Sequence, residues 1–85
     1  MADNDTIAAA LAKSRAAHLA YRQALAANNP AGVRTALERA LETRTIAQDL
    51  DPDHTALAWS LDPYTKLHDN LLTYYRDQLA RLAAA

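Results

Sequence analysis

The chain is poor in the residues that build covalent cross-links, phosphate loops and membrane spans. Its 85 residues include no cysteine and one glycine, Gly32. The lack of cysteine excludes a disulfide framework and thiolate chemistry. A single glycine excludes a glycine-rich phosphate loop. No apolar run approaches the roughly 18 residues that a membrane span needs, so we expect no membrane partner.

The hydrophobic residues are mostly small. They make up 51% of the chain, but 21 of them are alanine and none is phenylalanine. Alanine favours helix and buries little area. A chain of this length buries only about 60–65% of its unfolded surface. The composition therefore predicts closely packed helices around a thin core, which a second subunit can complete.

The charge is nearly balanced. The formal net charge is −1, with an excess of two basic residues over 1–48 and of three acidic residues over 49–85. Neither part has the basic excess that is typical of nucleic-acid-binding proteins. Residues 1–5 are acidic and lack the basic start of a signal peptide. We expect a cytoplasmic protein, or a virion-associated one if a phage encodes it.

Three prolines each follow an acid or an amide, a combination that marks the start of a helix. The pairs are Asn29-Pro30, Asp51-Pro52 and Asp62-Pro63. With a first helix over 7–27, they predict helices over 30–49, 52–61 and 63–83. The predicted fold is all-α: a small antiparallel helical bundle of three main helices plus one short helix. We expect a single domain over 1–85, with residues 1–4 frayed and Asp5 or Thr6 as the first cap.

The first helix carries a heptad pattern. Six positions follow each other in steps of four and three: Ile7, Leu11, Ser14, His18, Tyr21 and Leu25. This spacing predicts a buried seam with a polar middle layer. We expect Ser14 and His18 to form that layer with His68 of the last helix, fixing the register rather than performing chemistry.

The second helix has apolar residues on two opposite faces. Val33, Leu37 and Leu41 form one stripe, whereas Ile46 and Leu50 lie about 180° away from it. One interpretation is a helix that packs between two neighbours, and the other is a helix that breaks near Arg44. The first interpretation fits a helix that contacts a partner as well as its own domain.

The aromatic residues concentrate in the last third of the chain, where the last helix has a wide apolar face. This width places the helix at the centre of the domain or in an oligomer interface. Tyrosine and tryptophan are common in both settings, so both alternatives stay open. The candidate interface residues are Leu72, Tyr75, Leu79, Tyr74, Ile46 and Trp59.

No complete catalytic or metal-binding motif is present. Asp49, Asp51 and Asp53 have the spacing that begins a calcium loop, but His54 and Ser60 occupy the positions of its glycine and glutamate. No two histidines have the helical i, i+4 spacing of metal ligands. The serines lack the glycine-rich surroundings of an oxyanion hole. We expect no enzyme, no cofactor and no metal site; a histidine-based metal or catalytic bundle is a rival hypothesis.

These patterns predict a non-enzymatic protein–protein interaction or assembly module. It would act through helix–helix packing with protein partners and self-associate as a homo-oligomer. One alternative is a small accessory or structural protein of a larger particle such as a phage virion. Another is a helical DNA-binding regulatory module built on the last two helices. Two observations disfavour the DNA-binding alternative. Asp62 alone connects the last two helices, where the usual turn has three or four residues, and the nearly balanced charge does not favour nucleic acid.

Overall fold

The computed structural model describes residues 2–67 and 70–84. It contains five helices: α1 (Asn4–Ala26), α2 (Pro30–Leu50), α3 (Leu57–Leu61), α4 (Pro63–Leu67) and α5 (Leu71–Ala84). No strand occurs in these ranges. The predicted all-α class is confirmed. The position predicted for His68 lies outside the described residues.

The first two helices form a long antiparallel hairpin. Asn28 takes a left-handed backbone conformation with φ 53°, which is common where a helix ends. Asn29 then caps α2, because its side-chain oxygen accepts the Gly32 N–H at 3.1 Å. Pro30 follows at the first helical position. The predicted start of α2 is confirmed.

Helix α1 starts earlier than predicted. Asp3, and not Asp5 or Thr6, is its N-cap, and its carboxylate accepts the Thr6 N–H at 2.8 Å. The side chain of Asn4 accepts the Ala58 N–H at 2.8 Å. Residues near the N-terminus, which we expected to be frayed, therefore form a helix cap and a contact with α3.

The heptad seam of α1 faces the core over most of its length. Its buried members are Ile7, Leu11, Ser14, His18 and Tyr21. Leu25 is 50% exposed and lies at the end of α1, next to the loop that joins it to α2. Ser14 donates a hydrogen bond to the carbonyl of Ala40 at 3.2 Å. The predicted burial of Ser14 and His18 is confirmed. Ser14 joins α1 to α2, whereas the predicted contact with His68 lies outside the described residues.

Two apolar clusters make up the core. The first joins the middle of the hairpin to α5 and consists of Ala17, Tyr21, Val33, Ala36, Leu37, Ala40, Leu71 and Tyr75. The second joins the end of the hairpin to α3 and consists of Ile7, Ala10, Leu11, Ala47, Ala58 and Trp59. Many of these residues are alanines, so the helices pack closely around little apolar volume.

Helix α2 is continuous through Arg44. The interpretation that it breaks there is wrong. Val33 and Leu37 are buried, whereas Ile46 and Leu50 are 47% and 38% exposed. The second apolar face of α2 therefore points away from the core and is partly exposed.

The segment after α2 differs from the prediction. Asp51 was expected to cap a helix starting at Pro52, but α3 begins at Leu57. The carboxylate of Asp51 instead accepts the N–H of Ala56 at 2.9 Å. His54, with φ 53°, interrupts the helical path. Asp51 thus stabilises the loop before α3 and does not cap a helix that starts at Pro52.

The predicted last helix is present as two helices. Asp62 starts α4, because its carboxylate accepts the Thr65 N–H at 3.0 Å. Asn70 starts α5, because its side chain accepts the Thr73 N–H at 3.1 Å. Pro63 after Asp62 marks the start of a helix, as predicted. Asn70 is not followed by a proline, and the sequence did not predict it as a cap.

Two leucines of the α1 heptad pattern provide a matched test of the core. Leu11 is fully buried and Leu25 is half exposed. We expect Leu11→Ala to lower the free energy of unfolding by about 2–5 kcal/mol, because it removes packed atoms and leaves a cavity. Leu25→Ala should cost less than about 1 kcal/mol. Urea denaturation followed by circular dichroism measures both, and equal losses would contradict the burial described here.

Candidate functional site

A concave surface of the described residues runs along one side of the α1–α2 hairpin. It contains two open cavities of about 800 and 480 Å³, which share Lys13 and Thr43 in their walls. All the residues that line them fall within 3–50. The described parts of α3, α4 and α5 therefore leave this side uncovered. We call this surface the α1–α2 groove.

One end of the α1–α2 groove is built from small residues. They are Ala16, Ala17, Ala20, Ala31, Gly32, Thr35 and Ala36. A Cβ atom on Gly32 would lie 2.5 Å from Nδ2 of Asn29 and 3.3 Å from Cβ of Ala24. A larger residue at this position would therefore displace the capping side chain of Asn29. The small side chains leave room above the helix backbones at this end.

The other end of the α1–α2 groove carries large apolar residues. Ile46 and Leu50 line the smaller cavity and are 47% and 38% exposed. The acidic residues Asp3 and Asp5 lie at the same end. The groove is therefore asymmetric along its length, with a small-residue end and a large apolar end.

Charged residues of both signs occupy the middle of the α1–α2 groove. Lys13, Arg39 and Glu42 line its larger cavity. Within 2–67 and 70–84, the two salt bridges both involve Asp62, so these three side chains form none. A mixture of signs is unlike the basic stripe that binds a phosphate backbone. It suits a partner that also carries both signs.

A buried carboxylate connects the helices on the opposite side of the hairpin. Asp62 is 1% exposed. It lies 3.0 Å from Nη1 of Arg44 and 3.2 Å from Nη1 of Arg15. Burial alone would raise the pKa of Asp62, but hydrogen bonds from Thr65, Arg44 and Arg15 outweigh it and lower the pKa. The charged Asp62 therefore joins α1, α2 and α4 through one group.

A second carboxylate organises the loop before α3. Asp51 accepts hydrogen bonds from the N–H of Ala56 and from Nε1 of Trp59, both at 2.9 Å. These bonds, together with two from Thr55, lower the pKa of Asp51 to about 2. The ring of His54 stacks on Trp59 with 3.7 Å between the ring centroids. The arrangement fixes Trp59 in the core.

The aromatic residues surround His18 in the polar layer. The Nδ1 atom of His18 shares a hydrogen bond of 2.7 Å with the hydroxyl of Tyr75. Tyr64 stacks on His18 at a centroid distance of 4.3 Å. Burial and a hydrogen bond with Tyr74 raise the pKa of Tyr21 to about 12. Burial also raises the pKa of Tyr75. Burial therefore favours the neutral form of these two hydroxyls, which serve as hydrogen-bonding groups within the cluster.

The six candidate interface residues are spread over different environments. Tyr75 and Trp59 are 0% and 3% exposed. Both therefore lie in the core and not on an accessible interface. Leu72, Tyr74 and Leu79 are half-buried, and the last two pack against the first core cluster. Only Ile46 of the six lines the α1–α2 groove. A partner contact of the accessible residues stays a prediction.

The described residues offer no metal centre. No group of three histidine or acidic side chains among them is arranged to hold a metal ion. None of the helices in the described ranges is both long and apolar enough to cross a bilayer.

Comparison with protein-family models, curated proteins and solved structures found no match for this chain.

The face formed by Ile46 and Leu50 was predicted from the sequence, but the rest of the α1–α2 groove and the Asp62 centre were not. The groove is lined mostly by alanine and threonine, which give little hydrophobic signal at any period. A signal was available in α2, where Gly32, Ala36, Arg39, Thr43, Ile46 and Leu50 repeat in steps of four and three. The pairing of Arg44 with Asp62 spans 18 residues, and residue spacing within a helix cannot reveal such a pair.

The two arginines at Asp62 should differ in their effect on stability. The side chain of Arg44 is 8% exposed and that of Arg15 is 39% exposed. We expect Arg44→Leu to lower the free energy of unfolding by about 3–5 kcal/mol, because it leaves a buried charge without its main partner. Arg15→Leu should cost about 0–1 kcal/mol. Chemical denaturation of both variants measures the difference, and a larger effect at Arg15 would contradict this assignment.

Acidification should destabilise the protein through Asp51. Its pKa is about 2 in the folded chain, against an ordinary value of 3.8. A lowered folded pKa contributes stability above about pH 4 that is lost as the pH falls towards 2. We expect the thermal midpoint of Asp51→Asn to be lower at pH 5 and to change less between pH 4 and 2. The exposed Asp53→Asn is the control, and a wild-type slope in the Asp51 variant would contradict the role of this carboxylate.

Proposed function

We propose that this protein is a non-enzymatic assembly module that self-associates through helix–helix packing at the α1–α2 groove. The observation that carries the proposal is an uncovered two-helix face with large apolar residues at one end. Ile46 and Leu50 are accessible there, next to a cavity of about 480 Å³. Exposed apolar patches that are rimmed by polar residues mark protein–protein interaction sites when they are large.

The shape of the α1–α2 groove supports a helical partner. Two helices that lie side by side leave a valley between them, and a third helix can lie in it at an axial distance of about 8–10 Å. The small side chains of Ala16, Ala20 and Thr35 permit such an approach. A flat or strongly charged surface would not offer this fit.

The chemistry of the described residues also favours packing over catalysis. The buried polar side chains are used for hydrogen bonds between helices: Ser14 bonds to Ala40, His18 to Tyr75 and Asp62 to Arg44. In the described ranges no buried side-chain nitrogen or oxygen lacks a partner.

The proposal predicts that Ile46→Asp weakens self-association, because it puts a carboxylate into the apolar end of the α1–α2 groove. Leu19→Asp is the matched control: Leu19 is 52% exposed but lies outside the groove. We expect the apparent dissociation constant to rise about tenfold or more for Ile46→Asp and by less than about threefold for Leu19→Asp. Sedimentation equilibrium at several protein concentrations measures both.

Circular dichroism at each concentration shows that the variants are folded. Both substitutions are at exposed positions, so both should retain the helix content of the wild type. Equal association of wild type and Ile46→Asp, with both folded, would reject the α1–α2 groove as the contact surface.

A further inference from the structure

The two ends of the α1–α2 groove complement each other, and this complementarity identifies its occupant. We infer that the groove is occupied by the α2 helix of a second copy of this chain, packed antiparallel around a two-fold axis that passes between Arg39 and Glu42. This inference rests on the proposed function and adds to it the partner and the geometry of the contact.

The sizes of the side chains at the two ends of the α1–α2 groove are complementary. The exposed residues of α2 that line the α1–α2 groove are Ala31, Thr35, Arg39, Glu42, Ile46 and Leu50. A two-fold axis midway along this row places Ile46 opposite Thr35 of the second copy, and Leu50 opposite Ala31. Each large side chain thus meets a small one. The cavity of about 800 Å³ at the small-residue end receives the apolar end of the partner.

The charges in the middle of the α1–α2 groove are complementary between the two copies. The same axis places Arg39 of each copy opposite Glu42 of the other. Both side chains are exposed, and within the described residues neither takes part in a salt bridge. A two-fold contact brings the same surface of both copies together, so it forms this opposite-charge pair twice. A parallel arrangement would instead bring Arg39 towards Arg39 and Glu42 towards Glu42.

The size of the surface sets the expected strength. A helix of 21 residues is about 30 Å long at 1.5 Å per residue, and the molecule is about 20 Å wide. The product of these two lengths gives a footprint of roughly 600 Å² per copy, and two such footprints, about 1,200 Å², lie at the lower limit for specific interfaces. We therefore expect a dimer that dissociates on dilution, and the charged pairs to have a measurable effect on it.

A charge-exchange experiment tests this geometry. Arg39→Glu alone and Glu42→Arg alone each put two like-charge contacts into the dimer in place of two opposite-charge ones. We expect the dissociation constant of each single variant to rise about 10- to 100-fold. An equimolar mixture of the two single variants should form a heterodimer, because each copy then supplies one sign of charge. The double variant should self-associate within about threefold of the wild type.

Matched controls use the solvent-facing side of the same helix. Arg34→Glu and Glu38→Arg make the same changes in net charge at exposed positions outside the groove. Both should associate like the wild type. Sedimentation velocity and light scattering, with circular dichroism to confirm folding, measure all the samples at the same ionic strength.

The outcomes separate this inference from the proposed function. The two-fold pairing is supported if each single variant associates weakly and the equimolar mixture of the two associates like the wild type. If the single variants associate like the wild type while Ile46→Asp does not, the α1–α2 groove remains a contact surface but the two-fold pairing is wrong. If the wild type stays monomeric up to about 1 mM, both the pairing and self-association are rejected, and a helix from another protein becomes the occupant to seek.

Discussion

The carboxylate of Asp62 is the interaction on which the arrangement of the helices depends. It is almost fully buried and binds Arg44 of α2, Arg15 of α1 and Thr65 of α4. Because a buried charge is costly without partners, the three helices must keep the positions that supply them. Arg44 also lies over the ring of Trp59, with its guanidinium carbon 5.6 Å from the centroid. One ionic centre thus holds the shorter helices against the hairpin.

This arrangement has a consequence for the rest of the surface. The Asp62 centre, Trp59 and Tyr75 all draw the last third of the chain to one side of the α1–α2 hairpin. The helices described there do not reach the other side, which stays open as the α1–α2 groove. A chain with 21 alanines has little apolar volume for a second layer of its own. The thin core and the open groove are therefore two results of the same composition.

Local signals predicted the helices well where one residue decides the structure. Asn29 followed by Pro30 marked the start of α2, and the heptad spacing located Ser14 and His18 in the core. The same logic failed at Asp51, because its carboxylate found partners in Ala56 and Trp59 instead of a helix turn. Nor did it identify the groove. Alanine and glycine reveal a helix contact only when another helix is known to lie beside them, and that depends on the tertiary fold.

The central claim is that the open α1–α2 face is a contact surface between copies of this chain. The mass of the wild-type protein in solution, measured by sedimentation equilibrium from about 1 µM to 1 mM, tests it most directly. Mass action predicts a rise from the monomer mass of 9.3 kDa towards twice that value as the concentration increases. A mass that stays at 9.3 kDa over the whole range, in a folded protein, would contradict the account.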